Sequence, residues 1–214
     1  MTAEELAALH PRLFHLCERA AVDGILHHGL WSTERLLAGS GLSEAERLNL
    51  LLRRRPAPVP LLHRAFGSVT INDNLPLSEG KLAACLDDGL TPADWLGLLN
   101  RKVFFWAREQ DAEALLGAAG NVGRAKALLI FDTRSLLEAH DTSAAIAAIN
   151  TGQTRFPMKM AARRGLPTFT PLAGLDYARW RKDTRSGSPR RIKEVVVEAG
   201  VPDAGRHVVK VVDV

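Results

Sequence analysis

Cysteine is scarce: the chain holds two, Cys17 and Cys85, in 214 residues. Two thiols make neither a disulfide framework nor a thiolate zinc site, so the fold must rest on its core. Long apolar runs are missing as well. The longest, such as Ala127 to Phe131, fall far below the ~20 residues of a bilayer span. The amino terminus carries Glu4 and Glu5 and no basic-then-apolar block. That predicts a soluble, cytoplasmic chain with no secretory leader and no membrane contact. Also absent are G-x-x-x-x-G-K-[ST], G-x-S-x-G and H-E-x-x-H, which excludes the common phosphate-loop, serine-hydrolase and zinc-protease sites. Gly117, Gly120 and Gly123 do not form G-x-G-x-x-G, and they sit between helix and strand, the reverse of a Rossmann turn. His27 and His28 are adjacent, so on a helix they point ~100° apart and make a poor metal pair. No metal site is expected.

What is present suffices for one ordinary domain over residues 1–214. Hydrophobic residues make up 46% and charged residues 24%, which excludes disorder and a fibrous fold. At this size roughly 70% of the unfolded chain's surface can be buried. The net charge of +4 is unevenly placed. From Arg155 to Lys193 stand eleven Lys or Arg against two acids, a net of +9, while the remainder nets −5. So basic a segment attracts phosphate, or else forms a solvated loop.

The hydrophobic pattern predicts strands at Arg12–Glu18, Ser68–Ile71, Lys102–Ala107, Ala127–Phe131, Ile192–Glu198 and His207–Val212. Helices are expected at Ala20–His28, ended by Gly29, at Ser43–Arg53 with a Ser43/Glu46 capping box, and at Glu79–Leu86. Others are expected from Thr91-Pro92 to Leu99, at Asp111–Leu116, at Thr133–His140 and at Asp176–Lys182. Pro56, Pro58 and Pro60 end the second of these. Ala144–Asn150 suits a strand or a helix. Gly200–Asp203 reads as a turn making the last two strands a hairpin-like pair. These elements predict an α+β domain with a split, mixed or antiparallel sheet, short flanking helices and a mostly helical insertion at 41–100.

Four features can carry chemistry, each with a plain structural alternative. Glu194 lies between Ile192 and Val196 on one strand face, either wet at an edge or set against a cation. His15 stands mid-strand, as a core histidine or a ligand contact. Arg101 is a surface cation or an anion contact. Phe104, Phe105 and Trp106 are contiguous, so rings face both sides of their strand; they pack the core or line a cleft.

In order and spacing these pieces resemble the ADP-ribosyltransferase superfamily, closest to its DNA-modifying toxins of DarT type and more distantly the RNA 2′-phosphotransferases. The resemblance rests on Leu13-Phe14-His15, on Ile25-Leu26-His27-His28-Gly29-Leu30 with Ser32, and on Glu194 in a late strand followed by Gly200-Val201-Pro202. It implies NAD as co-substrate and no metal. Glu194 would be the catalytic carboxylate, and His15 would hold the adenosine-side ribose. Phe105 or Trp106 would stack on nicotinamide, and Arg101, with Arg108 as the alternative, would hold the phosphates. Arg181, Lys182, Arg185, Arg190 and Arg191 would bind the acceptor, DNA or RNA more readily than protein, and a neutralising antitoxin would be a natural partner. A catalytically silent nucleic-acid-binding module and an RNA 2′-phosphotransferase are the alternatives. The chain departs from the relatives at Leu16-Cys17, where Thr or Gly is common, and Ser143–Arg155, including Ile149-Asn150-Thr151-Gly152-Gln153-Thr154, has no counterpart.

Overall fold

The structure is a computed structural model and describes residues 1–118, 120–154, 162–183 and 189–214. Helix α1 (Ala3–Leu9) leads into β1 (Arg12–Glu18). Helix α2 (Val22–His28) ends at Gly29, as the pattern predicts. The φ of 92° there suits glycine. A Cβ at Gly29 would meet the Pro202 backbone at 2.6–2.8 Å, so the end of α2 rests directly on a distant turn. Then come β2 (Leu30–Trp31), α3 (Thr33–Ala38) and α4 (Glu44–Leu52), the last with the expected capping box of Ser43 and Glu46.

The 41–100 segment is more than helical. It contains a hairpin of β3 (Val59–His63) and β4 (Gly67–Ile71), then α5 (Glu79–Ala83) and α6 (Pro92–Asn100). Prolines conceal β3 in the sequence. It forms because it belongs to a two-stranded ribbon, whose edge position tolerates the missing N–H of Pro60. The rest of the chain supplies β5 (Lys102–Trp106), α7 (Glu109–Leu116), β6 (Lys126–Asp132), α8 (Thr133–His140), β7 (Ala144–Ala147), β8 (Thr170–Pro171), α9 (Tyr177–Lys182), β9 (Glu194–Glu198), β10 (Gly200–Val201), α10 (Ala204–His207) and β11 (Val208–Asp213).

Among the described residues seven strands form one antiparallel sheet in the order β11-β6-β1-β5-β9-β7-β8. This confirms a mixed α+β domain. No helix among the described residues is long and apolar enough to cross a membrane. The expected pairing of the last two long strands does not occur: β9 lies between β5 and β7, and β11 pairs with β6 at the far edge. A hairpin needs a short loop. Here the connection contains β10, which pairs with β2, and then the turn of α10, which together carry the chain to the other edge.

One junction in the sheet is thin. Strand β1 pairs with β6 along all of its length, and β5 pairs with β9 along all of its own. Between β1 and β5 the register holds a single pair, Phe14 with Trp106. Beyond it the strands part, so the sheet is two half-sheets hinged at one point. The main core lies on the face of Leu13, Phe105, Leu129, Phe131, Val195 and Val197, covered by residues of α1, α2 and α8. On the other face Phe14, Leu16 and Leu128 pack under Ala112 of α7, while Trp95, Leu96 and Leu99 of α6 form a second cluster with Phe104.

Candidate functional site

Register decides where the candidate carboxylate points. Glu194 stands opposite Trp106, which stands opposite Phe14, and directly opposed residues share a sheet face. Glu194 is therefore on the Phe14 face and His15, one residue on, is on the other. A continuous sheet would keep them apart. Here the sheet is split just beyond the Phe14–Trp106 pair, and both residues line one cleft of about 940 Å³.

His15 fills the split. Its Nδ1 donates to the Phe104 carbonyl at 2.8 Å, taking a main-chain acceptor on the strand that has parted from β1. Burial holds its pKa below the usual histidine value, and Lys126 adds to this against the pull of the Phe104 carbonyl. A neutral ring that donates through Nδ1 presents Nε2 as an acceptor.

Glu194 is buried at 3% exposure, not wet at an edge. Its carboxylate accepts from the Thr151 hydroxyl at 2.7 Å and from the Thr151 amide at 3.2 and 3.3 Å. Burial pushes its pKa up to about 7, against the Thr151 hydrogen bonds and the attraction of Lys193 and Arg164. Asn150 turns the chain at this point, its side chain accepting from the Gly152 amide at 3.1 Å, which points the Thr151 amide at the acid. Arg164, 3% exposed, clamps the turn by donating to the carbonyls of Asn150 at 3.3 Å and of Gln153. Replacing Thr151 by Val removes the shortest of these bonds, so the Glu194 pKa is expected to rise above about 7. Carboxyl-carbon NMR titration of the variant checks this.

The chain belongs to DUF7002, a family of unknown function, which matches residues 11–208. No curated protein matches it.

In this DUF7002 chain the other site expectations fare unevenly. Trp106 stands half-buried on the Glu194 face and lines the cleft. Phe105 also borders the cleft, but it is 0% exposed and packs in the main core, meeting Phe131 edge-to-face at 5.0 Å. Arg101 lies outside the cleft lining and faces Glu198 at 3.6 Å. Arg108 is likewise outside the lining, paired with Asp111 at 2.8 Å. Among the described residues the cations that do line the cleft are Arg55, Lys102, Lys126 and Lys193. Lys126 is buried and pairs with Glu18 at 2.7 Å. Arg55, its pKa brought down to about 10 by burial, is spent on the Asn72 and Leu50 carbonyls and on Asn100.

Of the basic segment, Arg181 and Lys182 are exposed on α9 and Arg191 is exposed. Arg190 pairs with Asp183 at 2.8 Å and lies over the Trp180 ring at 5.7 Å. Arg185 lies outside the described residues. None of the four described cations lines the cleft, but the chain runs from Arg190 through Lys193 straight into Glu194.

Thr151 and Arg164 were missed by pattern reading. Thr151 sits 43 residues from Glu194 in sequence, and its one local signal was the turn-forming Asn-Thr-Gly triplet. Cys17 also lines the cleft, but burial pushes its thiol up to about 12, so it is no nucleophile at neutral pH.

Proposed function

We propose that this protein transfers ADP-ribose from NAD to a nucleic-acid acceptor. One observation carries the reading: a buried carboxylate with a raised pKa, Glu194, lines the same cleft as the neutral His15 at the split in the sheet. The cleft volume of about 940 Å³ lies near the top of the ~300–1,000 Å³ range of small-molecule pockets. The donor set also suits a dinucleotide. His15 Nε2 can accept from a ribose hydroxyl, Trp106 offers a ring, and Lys193, shared with Asp111 at 3.2 Å and the more exposed of the pair, supplies positive charge for phosphate.

NAD supplies a glycosidic bond whose cleavage leaves positive charge on the ribose. Glu194, once ionised, is the group that stabilises that charge and accepts from the ribose hydroxyl beside it. Thr151 keeps the carboxylate in one orientation, and the buried setting excludes competing water. The exposed cations Arg181, Lys182 and Arg191 suit a phosphate backbone arriving beside the strand that carries Glu194.

The test uses NAD labelled in its adenylate phosphate, incubated with the protein and single-stranded DNA, RNA or a protein mixture. Nicotinamide release and label on nucleic acid are expected, with transfer weakening steeply as salt rises. The reading fails if NAD neither raises the melting temperature nor releases nicotinamide with any acceptor. DNA or RNA binding without either response would make the chain a silent binding module instead.

A further inference from the structure

Away from the cleft, three side chains converge from two elements: His140 at the end of α8, and Asp203 and His207, which bracket α10. We propose that His140, Asp203 and His207 form a divalent transition-metal site of the zinc class.

The geometry is that of ligands around a common centre. Their donor atoms lie within 4.8 Å of one another. Asp203 and His207 are four residues apart, so one helical turn sets both on the side facing His140. The Asp203 carboxylate spans the two rings, Oδ1 at 2.7 Å from His140 Nε2 and Oδ2 at 3.2 Å from His207 Nε2. The rings are nearly perpendicular, at 83°, with centroids 5.8 Å apart.

An independent observation comes from His207. It is 4% exposed, and its Nε2 is buried yet makes no hydrogen bond among the described residues. Asp203 Oδ2 lies 3.2 Å from it but outside hydrogen-bond geometry. A buried nitrogen left in that state is costly. A metal relieves it. Bonds of about 2.0–2.1 Å in a tetrahedral site put neighbouring ligand atoms roughly 3.3 Å apart. The His207 Nε2–Asp203 Oδ2 separation of 3.2 Å is close to that, and the 2.7 Å hydrogen bond between His140 Nε2 and Asp203 Oδ1 would open by a few tenths of an ångström to admit the ion.

The outer contacts fit as well. His207 Nδ1 is held by the Ser135 hydroxyl at 2.8 Å, the kind of second contact that orients a metal-binding imidazole. Two imidazoles and a carboxylate suit zinc, nickel or copper better than calcium or magnesium. The His140 and Asp203 side chains keep 14% and 30% exposure, which gives an ion a way in and leaves a fourth position to water. None of the three lines the cleft. A bound ion would tie α8 to the connection between β10 and β11 and stabilise the fold there.

The experiment uses the full chain freed of metal by chelation, with Zn²⁺ and Co²⁺ as probes. One equivalent of Zn²⁺ is expected to raise the melting temperature by several degrees, and Co²⁺ to give the visible absorption of a tetrahedral N/O site. His140→Ala should melt within a few degrees of the metal-free parent and lose both responses. Asp203→Asn serves for the same comparison should the alanine variant fail to fold. The proposal is overturned if the parent responds to neither ion, or if the substituted chain responds as fully as the parent.

Discussion

Glu194→Gln is expected to lower ADP-ribose transfer by about a thousandfold while raising stability at alkaline pH. The activity loss follows from Coulomb attraction. A carboxylate ~4 Å from a developing unit charge, at an effective dielectric near 20, contributes about 4 kcal/mol, or roughly three decades of rate. A neutral amide of the same shape keeps the Thr151 contact but loses that attraction. The stability gain follows from the raised pKa. Glu194 holds its proton more tightly in the folded chain than in the unfolded one, about 7 against 4.5. The resulting stabilisation is full below 4.5 and is lost as pH rises through about 7. By pH 8 the loss amounts to about 3 kcal/mol. Gln carries no charge to desolvate, so the variant should melt about 5–10 °C above the parent at pH 8 and near it at pH 4.5. His15, its pKa depressed by burial, acts with the opposite sign, favouring the fold above its unfolded value and withdrawing that support as pH falls. It is common to both chains, so the difference between them isolates Glu194. Activity retained in the variant, or a lower melting temperature at pH 8, would remove the buried acid from its proposed role.

The strands that build this site were legible because period-2 patterning is local. Lys102–Trp106, Lys126–Asp132 and the β9 run all stand out in the sequence, as does the glycine that stops α2. What local pattern cannot supply is which strands pair and where a pairing stops. That β1 and β5 hold a single pair, Phe14 with Trp106, is a property of two distant segments, and His15 and Glu194 line one cleft beside it. The face of β9 that holds Glu194 mixes apolar and acidic residues, so alternation could not say whether the acid was wet. The acid is held by the 150–153 turn, whose Thr151 donates to it and whose backbone is in turn held by Trp95 of α6, both far away in the chain. Arg101 was attractive because it precedes an aromatic strand, but its position just after α6 turns it to Glu198. Arg164 gave no signal, standing in a basic segment where every cation reads alike.

Arg164→Met is the second substitution expected to have a large effect, and it separates positioning from mere folding. The guanidinium is 3% exposed and donates to the carbonyls of Asn150, Gln153 and Ala162 and to the Cys85 sulfur. Met fills much of the same space but leaves those carbonyls unpaired, which costs about 2–4 kcal/mol and about 5–15 °C in melting temperature. Two consequences reach Glu194. The turn presenting Thr151 loses its clamp, and the positive charge that helps hold the acid ionised is gone. Both raise the Glu194 pKa, so the alkaline rise of transfer activity should move upward from about 7. At pH 7 the variant should be about tenfold slower than the parent and should recover part of that loss at pH 9. A residue that only held the fold together would lower the melting temperature and leave the pH profile in place. Arg164→Lys sharpens the contrast: it restores the charge without the fork that reaches several carbonyls, so the profile should return towards the parent's while the melting temperature stays low. A pH profile unmoved in both variants would reduce Arg164 to a structural clamp and leave the orienting of the acid to Thr151.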